Sequence, residues 1–461
     1  MKDNAPPSPT GPRVAYLTGE YPRATDTFVQ REVAALRELG LEVHTFSARA
    51  TDPSHHVGPE QVAEAAATFA LVSAAKNPVT LLSAHARRLF SSPGRYIRGF
   101  ATAWGLRWKG LGGAAYACFY FLEAGILADQ LARRGVTHLH NHFGNSSCSV
   151  AATASAISGV PFSFTLHGPA IFFEPYHWAL PEKIARARFV ACISHFCRSQ
   201  AMFLSAREHW GKLEIVHCGV QPERYAPVEH NEEGVRGDGT IRLLFVGRLS
   251  AVKGLPVLLQ AFKELPEHFH LEVVGDGEDR ADAEATAAAL PGGAGQRVTF
   301  SGYKSQAGVA EAFARTDVFV LPSFAEGVPV VLMEALASGV PAVATAVAGV
   351  GELVEDGKSG RVVPPGDPVA LGAALRELGA DAGLRASYGR HGRQKVQDEF
   401  GILTQAKRLA ARIRGGGDPG EGPGSQPGAA RADGADTHTA DAPASAIPLT
   451  ARGSTPTPTP R

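Results

Sequence analysis

Neither sign of charge is in excess in this chain: 45 Lys and Arg face 45 Asp and Glu over 461 residues, for a formal net charge of zero. Without a basic surplus there is no general affinity for polyanions, and no nucleic-acid partner is expected. Paired cysteines are missing as well. The five present, Cys118, Cys148, Cys192, Cys197 and Cys218, are odd in number and show no short paired spacing. That argues against a disulfide framework and fits small buried thiols in a reducing cytoplasm. No uninterrupted apolar run is long enough to span a bilayer. No N-terminal segment joins a basic start to an apolar run, so no signal peptide is expected. Aromatic residues are absent from Gly415 onward, where the chain ends in T-P-T-P-T-P-R. Such a tail buries too little apolar surface to offset its ordering entropy, and disorder is expected over 415–461 and in the proline-rich arm 1–12.

What is present is a strand–loop–helix alternation. R-V-A-Y-L at Arg13–Leu17 reads as a strand, T-G-E-Y-P-R as a loop, and Phe28, Val29, Val33, Leu36 and Leu39 recur at helical spacing behind a cap at Thr25 or Asp26. Another strand at 41–46 gives the order of a parallel α/β sheet. The pattern resumes at Val136 and continues through strands near 137–142, 161–166, 189–193 and 214–217. A polar stretch, Pro222–Gly239, reads as a linker. A second alternating region runs over 240–400, and a last helix over 401–414 is placed to cross back to the first domain, 13–225.

Between Glu64 and Glu123 no acidic residue occurs, yet Lys76, Arg87, Arg88, Arg95, Arg98, Arg107 and Lys109 do, with Phe90, Tyr96, Phe100, Trp104 and Trp108 among them. This excursion over 64–123 fits amphipathic helices resting on an anionic membrane, or helices packed on the first domain with solvated bases. His138, His140 and His142 alternate along one strand. No carboxylate or cysteine ligand is near them in sequence, so hydrogen-bonded or ligand-contacting histidines are expected there and no metal.

Pro322–Ala342, P-S-F-A-E-G-V-P-V-V-L-M-E-A-L-A-S-G-V-P-A, carries the densest signal. The apolar run Val318–Leu321 is a buried strand, a turn holds Glu326 and Gly327, and a helix starts near Pro329, whose missing N–H suits a first helical position. Glu326 sits over that helix start and Glu334 about one turn in. Free N–H groups and the dipole end form an anion site there. Upstream, Gly247-Arg248 closes another strand and Lys253 stands at a helix threshold, a pair suited to a diphosphate. Gly275-Asp276-Gly277 ends a third strand, where a plain turn and a loop close to a base or ribose are both open readings.

These motifs together resemble the retaining glycosyltransferases of family 4, of GT-B fold: two Rossmann-like domains facing across a cleft. The resemblance rests on F-V-G-R-L-S-A-V-K-G, V-V-G-D-G, V-F-V-L-P-S and E-G-V-P-V-V-L-M-E-A-L-A-S-G-V-P-A-V-A-T, and spans about 13–414. E-Y-P-R-A-T-D-T-F-V-Q-R-E-V, H-N-H-F-G and P-F-S-F-T-L-H-G are similar to the branch making colanic-acid-type exopolysaccharides.

The resemblance implies an enzyme moving a hexosyl group from a UDP- or GDP-sugar to a glycan or polyprenyl-diphosphate-linked acceptor, without metal or other cofactor, on the inner face of the cell membrane. The first domain would be the acceptor side and 240–400 the nucleotide-sugar side. Glu334 would bind ribose, and Glu326 the donor sugar. Arg248 and Lys253, beside Gly247 and Gly275, would neutralise the diphosphate. The backbone of Gly327, Val328, Pro329 and Val330 would touch sugar or phosphate. His167 would reach the donor sugar, and Gly19 with Glu20 would border diphosphate and acceptor. H-G-P-A departs from the residues that commonly follow that histidine in the branch, which bears on acceptor or sugar choice. Retention is attributed in the family to same-face attack, with the departing phosphate taking the proton, so Glu326 is not assigned as a nucleophile. The rival readings are a non-hydrolysing nucleotide-sugar epimerase, which needs no acceptor, and a non-catalytic scaffold, whose mark would be loss of Glu326, Arg248 or Lys253.

Overall fold

A computed structural model describes residues 11–415 apart from 24–25, 54–55, 57 and 229–238. The expected disorder of the arm and tail, a cap at Thr25 and the middle of the linker therefore lie outside the described residues, except at 11, 12 and 415.

Thirteen strands in the described residues form two wholly parallel sheets. The first takes β1 (Arg13–Glu20), β2 (Glu42–Arg49), β3 (Phe69–Ala70), β4 (His138–His142), β5 (Phe162–Leu166), β6 (Val190–Cys192) and β7 (Leu213–Ile215), in the order β3-β2-β1-β4-β5-β6-β7. The second takes β8 (Ile241–Val246), β9 (Phe269–Val274), β10 (Val298–Gly302), β11 (Val318–Leu321), β12 (Ala342–Thr345) and β13 (Gly360–Val363), in the order β10-β9-β8-β11-β12-β13. Both are doubly wound. Strand order reverses between β1 and β4 in one and between β8 and β11 in the other. Crevices for ligands open at the carboxyl ends of strands at such switch points.

The central strands are buried on both faces, so they need continuous apolar runs, and β11 supplies V-F-V-L without one exposed residue. β4 is the exception. Its H-L-H-N-H is buried throughout, and the parallel register sets His140 opposite Ser163 and His142 opposite Thr165 on β5. Polar partners across the ladder make this composition tolerable in a core.

The basic excursion folds as helices Pro59–Ala67, Leu71–Ala75, Pro78–Ser91, Pro93–Gly105 and Leu111–Arg133 around the short β3. Leu111–Arg133 is the one helix among the described residues long and apolar enough to cross a bilayer, by length and composition. Its second half is core: Ala124, Ile126, Leu127, Ala128 and Leu131 are buried, and buried Asp129 takes Arg87 at 2.6 Å and Arg88 at 3.5 Å. Two of the seven bases thus serve the fold.

The first and last helices among the described residues meet. The helix Ile402–Arg414 packs on the helix Thr27–Glu38, and Ile402, Leu409 and Ile413 join Val29, Val33 and Leu36 in one apolar cluster. Each of those three aliphatics contributes roughly 1.5–3 kcal/mol by burial. Arg412 pairs with Glu214 at 2.8 Å. Of the cysteines, four are buried as expected; Cys118 is exposed.

Candidate active site

At the switch point of the second sheet, Lys253 and Glu326 come together. Lys253 follows β8 at the end of a short 3-10 turn, Ala251–Lys253, and its Nζ lies 2.6 Å from Glu326 Oε1. Ser323 Oγ, on the turn after β11, donates to the same carboxylate oxygen at 2.6 Å. The helix Val330–Ala337 starts directly beyond, with Pro329 as the residue before its first turn. Among the described residues the backbone N–H groups of Gly327, Val328, Val330 and Val331 donate to no protein acceptor. Four open amides, a dipole end and a lysine at one spot form an anion cradle. Arg248 reaches out from the β8 end, 71% exposed, with its Nε 3.3 Å from Glu278.

Glycines set how closely these loops approach. Gly275 holds a φ of 141°, and a Cβ there would run into the Gly247 carbonyl, so the β8 and β9 ends lie against each other. A Cβ on Gly327 would stand 2.5 Å from the carbonyl oxygen of His167. The turn after β5 in the first sheet therefore rests directly on the Glu326 loop.

The first sheet's switch point holds a buried polar chain. Tyr16 on β1 donates a short hydrogen bond to Glu32, which also lies 3.0 Å from His142 Nε2. His142 Nδ1 meets His167 Nε2 at 2.9 Å, and Cys218 Sγ is 3.6 Å from His167 Nδ1. Burial holds the His167 and His140 imidazoles well below the ordinary histidine range, so both are neutral. Burial and the Glu32 carboxylate push the Tyr16 hydroxyl up. Glu32, His140 and His142 offer ligand atoms within 4.8 Å of one another. Those atoms already serve one another and the hydroxyls of Ser163 and Thr165. Gly19, at the end of β1, has nothing within 4 Å of where a Cβ would stand and borders open space.

Residues 240–381 match the family model described as "Glycosyl transferases group 1". A putative colanic acid biosynthesis glycosyltransferase of Salmonella typhimurium is 26% identical over 427 residues, 87% of this chain and 99% of that relative. An alpha-D-kanosaminyltransferase of Streptomyces kanamyceticus is 30% identical over 300 residues, 60% of this chain and 76% of that protein. The chain belongs to the group 1 glycosyltransferases. Its fold matches Anabaena Alr3699/HepE, solved with UDP and glucose, at a TM-score of 0.65 and 17% identity, over 87% of this chain and 99% of that one. The two-sheet GT-B architecture expected from the motifs is the one found.

In this glycosyltransferase the motif residues of the second sheet, Gly247, Lys253, Gly275, Glu326 and Gly327–Val330, gather at one switch point, with Arg248 at its rim. Glu334 also reaches toward the first domain. Its Oε1 takes Arg31 Nη2 from the first domain at 2.8 Å, with both side chains nearly buried, and Tyr225 lies against the same arginine at 3.5 Å. His167 meets the Glu326 loop with its backbone, while its ring nitrogens face inward. A second carboxylate also spans the cleft. Glu352 accepts from the N–H groups of His195 and Phe196, at 2.7 and 2.8 Å, capping the helix His195–Leu204 of the other domain. Arg31, Glu32, Tyr225 and Glu352 had no site role in the sequence reading. Their one signal was the adjacent Arg31-Glu32 pair on the buried face of an amphipathic helix.

Proposed function

We propose that this glycosyltransferase is retaining and metal-independent, and moves a hexosyl group from a UDP- or GDP-sugar to a glycan or polyprenyl-diphosphate-linked glycan in exopolysaccharide synthesis at the inner membrane face. The observation that carries this reading is the Lys253–Glu326 pair under the open head of the Val330–Ala337 helix. A donor diphosphate entering there takes over Lys253 and the free amides, with Arg248 closing on it from the rim. Glu326, released from the lysine, accepts sugar hydroxyls, and Glu334 offers its remaining oxygen to the ribose. The bond from the sugar's anomeric carbon to phosphate breaks, and the acceptor oxygen bonds that carbon on the same face. The acceptor proton passes to the departing phosphate oxygen, and the nucleoside diphosphate leaves. Fixed cations and amides stabilise the leaving charge without reorganisation.

A thermal-shift screen of nucleotide sugars, followed by NMR of the anomeric configuration in the product, tests the reading. An inverted product, or a chain that no nucleotide sugar stabilises, sinks it. Within the same assay Glu334→Ala is expected to weaken nucleoside diphosphate binding about tenfold, the loss of roughly one charge-assisted bond. Glu326→Ala is expected to lower kcat more than nucleotide affinity. Isothermal titration and steady-state rates separate the two.

The membrane contact rests on the excursion. Phe90 and Leu111 are 83% and 92% exposed, Val79, Leu82 and Ile97 are exposed nearby, and Lys76, Arg98 and Lys109 form no ion pair among the described residues. Apolar side chains beside unpaired bases suit an anionic lipid surface. Flotation with vesicles rich in anionic lipid is expected to carry the protein up at low salt and release it at high salt. Equal recovery with neutral vesicles would rule this contact out.

A further inference from the structure

A pocket of about 390 Å³ lies beside the first sheet's switch point, rimmed by Gly19 and roofed by the basic excursion. Its walls are aromatic. Trp108 stacks on His177, with ring centroids 4.5 Å apart and planes at 21°, and His177 meets Trp178 edge-on at 4.7 Å. Tyr116 closes against Trp108 at 5.1 Å. Glu123 projects into this space from the helix Leu111–Arg133. Its carboxyl is pushed up to about 7 by burial, against the opposing pull of Arg49. Among the described residues the side chains of Glu123, Tyr116 and His177 form no hydrogen bond or ion pair.

Three observations converge there. Flat aromatic faces offer the surface that the apolar C–H face of a pyranose covers, while polar edges remain unsatisfied. A half-buried carboxyl with the Arg49 charge nearby but no hydrogen-bond donor of its own among the described residues has acceptor capacity that a hydroxyl-bearing ligand would fill. Gly19 places the mouth on the same strand end that borders the cleft. The floor is fixed: Lys183, wholly buried, donates to the carbonyls of Gly144 and Asn145 at 2.8 Å each and pins the turn that leads into the helix Ser146–Ser158.

We infer that this pocket is a saccharide subsite which holds a pyranose unit of the acceptor, lying against the Trp108–His177 stack with its hydroxyls on Glu123. The assignment rests on the glycosyltransferase reading above for the word acceptor, and on the pocket alone for saccharide binding. Neither Trp108 nor Glu123 belongs to the donor motifs. The same helix that presents Glu123 inward shows Leu111 and Phe119 outward.

Saturation-transfer NMR on the full chain, with methyl α- and β-glycosides of glucose, galactose and mannose, tests this. At least one glycoside is expected to bind saturably to the wild-type protein. Trp108→Ala and, with less disturbance of shape, Glu123→Gln are expected to weaken it tenfold or more. Both are expected to leave the thermal shift by UDP or GDP unchanged. Equal binding to wild type and Glu123→Gln, with the variant's melting curve intact, would overturn the assignment, and so would the absence of binding by every glycoside. Glycoside binding without any nucleotide response would leave the pocket standing and remove the donor reading instead.

Discussion

Replacing Lys253 by alanine is expected to lower kcat/KM for glycosyl transfer by about 10²–10³-fold, the cost of one fixed donor aimed at developing negative charge, or roughly 2.7–4 kcal/mol. The lysine is well prepared for that task. Its ammonium is 2.6 Å from Glu326 Oε1, and Ser323 holds the same oxygen. Lysine and carboxylate thus neutralise each other, and in the proposed reaction the donor diphosphate would displace one from the other. Lys253→Arg keeps the charge but spreads it over a planar fork that does not fit a site built for a compact cation, and only partial activity is expected. Steady-state rates with saturating acceptor read the effect. A Lys253→Ala protein within threefold of wild type would place the leaving-group contact elsewhere.

The second large effect is expected at Arg31, the first domain's contribution to Glu334. With side-chain exposures of 6% and 11%, this ion pair is shut away from water. Breaking a buried pair from one side strands the other charge at a cost of about 3–5 kcal/mol. Here a second outcome is available, because the partners lie on different domains and an opening between them would rehydrate Glu334. Arg31→Met is therefore expected to enlarge the radius of gyration in solution scattering and to lower the melting temperature. The double variant Arg31→Met/Glu334→Gln leaves no charge stranded. It is expected to recover much of the stability without recovering nucleotide affinity, since the carboxylate is gone. Additive losses in that cycle would show that the two residues act independently.

The α/β alternation was legible because parallel sheets write themselves as apolar runs: Val318–Leu321 could hardly be anything but a buried strand. The donor loop was legible for a different reason, since Gly327, Pro329 and Glu334 sit at fixed offsets along one turn and helix. What remained hidden depends on partners distant in sequence. Arg31 meets a glutamate 303 residues away, and periodicity counts only apolar positions on its helix. His140 and His142 were read as a strand end, but the hydroxyls of Ser163 and Thr165 that make their burial tolerable belong to the next strand. The acid-free interval was a sound observation of composition. Its Asp129 partner lies just outside it, so composition could not separate the bases that serve the fold from those that face solvent. The aromatic pocket was missed because Trp108 and His177 come from segments some seventy residues apart, and each alone reads as an ordinary packed ring.

The helix Ile402–Arg414 has a consequence for how the protein is made. It covers Val29, Val33 and Leu36, which are synthesised about 370 residues before it. The first sheet is complete once Ile215 has been synthesised, yet its apolar flank waits for a helix roughly 200 residues later, about 10–40 s at ordinary synthesis rates. Throughout that interval a nearly finished domain displays an open apolar stripe, available to a chaperone or to a neighbouring nascent chain. The helix Ile402–Arg414 thus closes the first domain in time as well as in space.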